Sequence, residues 1–257
     1  MKTKLVRFHT KENIRLDGLL FEPNKKTNKI VINLHGTADY FYRQRYLDDV
    51  AEALANIGYG LLTFDNRGSH EDYNFIIERN NERAGTVVIG ANNEIFEDCL
   101  LDIEAACDFA KSKGYDQIIL MGHSYGCNKI VYYALEKNFC GKLILLAPCD
   151  MAWLSRVDVD NPSGKHGQRQ NDENFDIFRY GDKTVSKKYA MLNNDMLVEI
   201  GEQDDAIFQS DKQGCIDYIK TAFKNAKVTG HIIKNTGHCY TGKSLELAKN
   251  IADWLNL

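Results

Sequence analysis

The chain has 257 residues, 44% of them hydrophobic and 26% charged, and 32 Lys plus Arg against 36 Asp plus Glu leave a formal net charge of −4. That length is one large α/β domain or two small ones, with enough apolar residues for a sizeable core. The slight acidity argues against a nucleic-acid or anionic-membrane partner, either of which requires a basic face, and 19 Gly with only three Pro exclude a collagen-like or disordered chain.

The first residues intersperse Lys2, Lys4 and Arg7 with apolar neighbours and lack the apolar core of a signal peptide. The longest clean apolar run, 143–147, is far too short to span a bilayer. Seven Cys form no C-x-x-C pair and no zinc spacing, which fits reduced thiols in a cytoplasmic protein. No internal repeat or low-complexity segment interrupts the chain.

In chain order, 4–8 and 14–21 read as an N-terminal hairpin, and 30–34 as a buried β-branched strand stopped at Gly36. Leu47, Val50, Ala51, Leu54 and Ala55 trace one apolar helix face, followed by a strand at 60–64. A helix around Phe96–Cys107, a strand at 117–121, a helix over 127–135 and a strand at 142–147 continue the alternation. After a polar stretch come a strand at 196–200, a helix near 215–223, a strand at 228–233 and a closing helix over 245–255. Such β–α alternation implies an α/β fold with a mostly parallel sheet of about eight strands, flanked by helices on both faces.

Two segments break the rhythm. Residues 69–92 are an excursion between strand and helix; 148–195 are longer, polar and dotted with aromatics, and are expected to fold as a small cap. Both leave the carboxyl ends of strands, where open α/β sheets bind their ligands. Glu94, Glu97, Asp98 and Asp102 read as a solvated helix face, and Cys99, Cys107, Cys127 and Cys215 as small core hydrophobes. The adjacent His70, Glu71 and Asp72 lack metal-ligand geometry, so no metal is expected.

Gly122-His123-Ser124-Tyr125-Gly126 fits G-x-S-x-G, with a strand running straight into it and a helix following directly. A tight strand-to-helix turn lifts Ser124 clear of the sheet and aims the helix N-terminus at the reacting centre. A serine hydroxyl needs a base at neutral pH. Of seven His, His238 lies in the loop between the last strand and the last helix, at the same sheet edge, whereas His35 and His123 flank glycines and support the local backbone. A carboxylate should orient the imidazole, and Asp204 and Asp205 both follow the strand at 196–200.

These residues, in the order Ser, Asp, His, resemble the α/β-hydrolase superfamily in its serine esterase and acyl-hydrolase branches, over nearly the whole length. His35-Gly36-Thr37 is similar to the family's H-G-x turn, which implies an oxyanion hole made by the Thr37 and Tyr125 amides. Asp65-Asn66-Arg67-Gly68-Ser69 resembles the D-x-R-G-x marker, and Leu146-Ala147-Pro148 the strand end after which a cap is inserted. The nearest likeness is to small bacterial carboxylesterases of the cinnamoyl-esterase type. In similar hydrolases the acid stands three residues after the glycine that closes its strand; Gly201-Glu202-Gln203-Asp204 fits, which favours Asp204 over Asp205. The resemblance implies a single domain, 1–257, with the cap at 148–195, hydrolysis of a small or medium ester, and no cofactor. His35, Trp153 and Cys149 fall where a substrate pocket is expected. A thioesterase, acyltransferase or peroxidase would use the same triad, and a non-catalytic binding protein of this fold would usually lack a member of it. Dehalogenases and epoxide hydrolases carry Asp where Ser124 stands.

Overall fold

The computed structural model describes residues 1–148, 191–205 and 211–257. Apart from Pro148 and residues 191–195, the expected cap lies outside the described residues, and with it Cys149 and Trp153.

The β-branched run after Asn28 forms β3 (Lys29–Leu34), in which every residue but the first is buried. It pairs in parallel with β4 (Gly60–Phe64) on one side and with β7 (Gln117–His123) on the other. β7 is followed in parallel by β8 (Leu143–Leu146), β9 (Met196–Gly201) and β10 (Val228–Ile233). At the opposite edge, β1 (Lys2–His9) and β2 (Arg15–Glu22) form the expected antiparallel hairpin, and β2 pairs antiparallel with β4. The eight-stranded sheet thus runs β1-β2-β4-β3-β7-β8-β9-β10.

Two helix pairs cover the sheet. α1 (Tyr46–Asn56) packs with α5 (Ser244–Leu255), and α2 (Cys99–Ser112) with α3 (Tyr125–Glu136); α4 (Lys212–Ala222) lies against β10. Cover on both faces explains why β3, β4, β8 and β9 are buried almost throughout rather than in alternation. Cys99, Cys107, Cys127 and Cys215 are buried in this core. No helix among the described residues is long and apolar enough to cross a membrane.

The excursion at 69–92 is an antiparallel hairpin of β5 (Tyr73–Arg79) and β6 (Glu82–Ile89). Its turn residues Asn80 and Asn81 hold φ of 53° and 64°, the left-handed pair that a tight hairpin turn requires and that Asn tolerates. The hairpin leans on the β1–β2 turn through an Ile14–Ile77 bridge, while Glu78 joins Arg15 at 3.0 Å and His9 at 2.8 Å.

The expected solvated face of Glu94 and Asp102 is overturned: they are 3% and 0% exposed. Asp102 accepts from the Arg67 backbone N–H at 2.8 Å and from its Nε at 2.9 Å, and Arg67 also reaches Asp98 and Glu12. Glu94 accepts from Lys129 Nζ at 2.6 Å. Each acid is buried because a cation from another element meets it, and spacing along a single helix carries no trace of that partner.

Candidate functional site

Ser124 sits between β7 and α3 with φ 54° and ψ −123°, a conformation that costs a non-glycine residue on the order of 1–3 kcal/mol. The surrounding backbone enforces it. Ser124 N–H donates to the Leu146 carbonyl at 2.8 Å, and Cys127 N–H returns to the Ser124 carbonyl at 3.0 Å. A side chain on Gly126 would begin 2.3 Å from the Leu34 carbonyl oxygen, so only glycine lets α3 start so close to β3. The N-terminus of α3, the positive end of its dipole, therefore opens directly beside the serine.

The turn after β3 closes on the same point. A Cβ on Gly36 would lie 2.9 Å from Ser124 Cβ and 3.4 Å from its Oγ, which puts Thr37 beside the nucleophile turn. Tyr125, at the start of α3, is 4% exposed; its ring lies 5.5 Å from that of Phe96 and under the Lys129 ammonium at 5.0 Å. Its side chain thus belongs to the interior, and its backbone stands next to Ser124.

His35, expected to line a pocket, is 1% exposed, and both of its ring nitrogens are engaged by backbone. Nδ1–H donates to the Gly36 carbonyl at 2.8 Å, and Nε2 accepts from Asn66 N–H at 3.1 Å. Burial, reinforced by the Lys129 charge, pushes its pKa down to about 4, so the ring is a neutral brace between the turns after β3 and β4. A pocket wall is the wrong role for it.

His238 lies in the loop between β10 and α5. Its Nδ1 stands 2.9 Å from Asp204 Oδ2, with the His238 side chain 22% exposed and that of Asp204 fully buried. Asp204 is set by the turn closing β9, where its N–H donates to the Gly201 carbonyl at 3.1 Å, and the Asp204 carbonyl accepts from Lys212 Nζ. Asp205 is exposed. A carboxylate can only accept, so Nδ1 carries the proton and the Nε2 lone pair is left for another donor.

Two features were invisible in the sequence. The His123 ring lies 4.8 Å from the His238 ring, and its Nε2 is 2.9 Å from the His238 carbonyl oxygen. On the loop beyond Thr37, the Tyr40 ring stacks on His70 at 4.8 Å, and His70 stacks in turn on Tyr73 of the hairpin at 4.8 Å. Among the described residues no group of three or more His, Cys, Asp and Glu is arranged to hold a metal ion.

A family model described as alpha/beta hydrolase fold matches residues 29–233. Among solved structures, Est1E from Butyrivibrio proteoclasticus with ferulic acid bound superposes with a TM-score of 0.65 at 19% identity, covering 97% of this chain and 98% of that one. The esterase Pf2001 from Pyrococcus furiosus gives 0.65 at 16% identity, with 99% and 90% covered. The esterase domain of a Rhodothermus marinus protein gives 0.66 at 18%, with 99% and 98% covered. No curated protein matches the chain.

Proposed function

Because the chain belongs to the α/β-hydrolase fold family, we propose that it is a serine hydrolase that cleaves a carboxylic ester of a small or medium substrate through an acyl-enzyme. The observation that carries this reading is the 2.9 Å contact of His238 with Asp204, at the sheet edge where Ser124 is held at positive φ. The esterase character of the structural neighbours favours an ester as substrate.

In this reading His238 Nε2 takes the Ser124 proton as Oγ attacks the substrate carbonyl carbon. Asp204 fixes the tautomer and stabilises the imidazolium that forms. The Thr37 and Tyr125 amides donate to the oxyanion, the position where fixed donors stabilise the transition state most. His238 then protonates the leaving alcohol, and the acyl-enzyme is hydrolysed by a water that gives its proton to the same nitrogen. Segment 148–195, with Cys149 and Trp153, is assigned the choice of substrate, because it follows the carboxyl end of β8.

A panel of p-nitrophenyl esters and thioesters, run with wild type and Ser124→Ala, tests the reading. Ester turnover should fall by up to about a millionfold in the variant, and a fluorophosphonate should label wild type at Ser124 only. Undiminished turnover in Ser124→Ala, or no label on Ser124, would sink it; preference for the thioesters would move the activity to a thioesterase. Asp204→Asn should lower kcat by about 10³–10⁴-fold with the fold intact, while Asp205→Asn stays within about threefold of wild type. The opposite ranking would pass the acid role to Asp205.

A further inference from the structure

We propose that His123 is a positioning residue for the reaction: its Nε2–H holds the backbone carbonyl of His238 and ties the loop that carries the base to the turn that carries the nucleophile. The proposal rests on the serine-hydrolase reading above, and concerns a residue that touches no substrate.

The hydrogen bond has one possible direction. A backbone carbonyl oxygen only accepts, so the 2.9 Å contact between His123 Nε2 and the His238 oxygen requires the proton on Nε2. Nδ1 is then a bare acceptor, buried and without a partner among the described residues. His123 is 2% exposed, ringed by His238 at 4.8 Å, Tyr46 at 5.7 Å and Tyr240 at 6.3 Å. Burial, followed by the nearby His238 charge, pushes its pKa down to about 4. The ring therefore stays neutral at the pH where a histidine base works, and it donates without adding a competing charge beside His238.

The loop needs such a tie. On its far side it is already sewn to the extension of β9: Glu202 N–H donates to the Ile233 carbonyl and Gln203 N–H to that of Thr236, both at 2.8 Å. Those bonds, with the Asp204 contact, relate the base to its acid. None of them relates the base to Ser124. The His123 bond does, because His123 immediately precedes Ser124 and its side chain reaches across 115 positions of sequence to the loop. A displacement of about 1 Å between nucleophile and base is enough to cost about 100-fold in rate. Its role is thus longer in range than bracing its own turn.

His123→Phe keeps an aromatic ring among Tyr46, Tyr240 and His238 but removes the donor; His123→Gln sets an amide N–H where Nε2 stood. We expect kcat for the best p-nitrophenyl ester to fall about 10–100-fold in His123→Phe with KM changed less than about threefold, and to return within about fivefold in His123→Gln. Backbone amide exchange at 237–240 should quicken at least about tenfold in His123→Phe and stay near wild type in His123→Gln. Should His123→Phe not fold, His123→Asn, too short to reach the carbonyl, replaces it. Wild-type turnover in the donorless variant, or a folded His123→Gln as slow as His123→Phe, overturns the proposal. Absence of ester turnover and of Ser124 labelling in wild type would instead end the hydrolase reading. Exchange, which needs no substrate, still reads the tether in that case, and unchanged exchange in His123→Phe would refute it.

Discussion

The turns that leave β4 and β7 flank the same central strand, β3, and differ in what holds them. After β7 the chain is fixed by backbone against backbone: Gly126 against the Leu34 carbonyl, and Ser124 N–H on that of Leu146. After β4, backbone bonds such as those of Ala38 N–H to Gly68 and Gly90 N–H to Arg67 are joined by charge. Arg67 is gripped by Asp102, Asp98 and Glu12, while Asn66 accepts from Lys129, which also pairs with Glu94. Backbone contacts have no rotamers, so they set a reacting atom to tenths of an ångström. Buried ion pairs hold a loop in place but carry a desolvation cost that leaves them vulnerable to loss of either partner.

The contrast can be broken at either turn. Gly126→Ala, whose new Cβ would meet the Leu34 carbonyl oxygen at 2.3 Å, should have the largest effect: a loss beyond about 5 kcal/mol in chemical denaturation, with fluorophosphonate labelling reduced in whatever still folds. Lys129→Met strands Glu94 as an unpaired buried acid and should cost about 3–5 kcal/mol, yet leave kcat of the folded protein within about tenfold, because the charges brace the fold and not the reacting atoms. Fluorophosphonate labelling of folded Lys129→Met as weak as that of Gly126→Ala would erase the distinction.

Asp65 sharpens it. Burial pushes its carboxyl up to about 6, despite the N–H of Phe41 at 3.0 Å. The native state therefore binds this proton more tightly than the unfolded chain, so Asp65 lends stability below about pH 4 that is lost as pH rises through about 6. Asp65→Asn keeps an acceptor for Phe41 without the charge. It should match wild type near pH 4 and exceed it at pH 7 by at most about 3 kcal/mol, read from urea midpoints across that range. A gap independent of pH would mean the carboxyl is not strained. The smallest effect belongs to exposed Asp205, whose change to Asn should move stability by less than about 0.5 kcal/mol.

Legibility followed the range of the interactions. The sheet strands were readable because covering both faces writes an apolar run into each, as in Ile30–Val31–Ile32 and Leu143–Ile144–Leu145. The hairpin at 73–89 carries a turn signal in its Asn80-Asn81 pair, but β5 and β6 are half exposed, so the flanking apolar pattern is weak. The contact between His238 and Asp204 lies where chain order and the count from Gly201 pointed, since both residues ride on strand ends that the topology fixes. The partners of Glu94, Asp102 and His123 come from elements far away in sequence, and no local pattern encodes them.

The place of β3 at the centre of the sheet also has a consequence for synthesis. Its partner β4 follows soon after it in sequence, but its other edge has no partner until the residues from Gln117 onward have been made. At about 5–20 residues per second that is a delay of several seconds. Meanwhile Ile30, Val31 and Ile32, fully buried in the finished fold, present an open row of peptide groups to any passing nascent strand. Yield in cells should therefore depend on translation speed and chaperone supply more than the finished fold suggests.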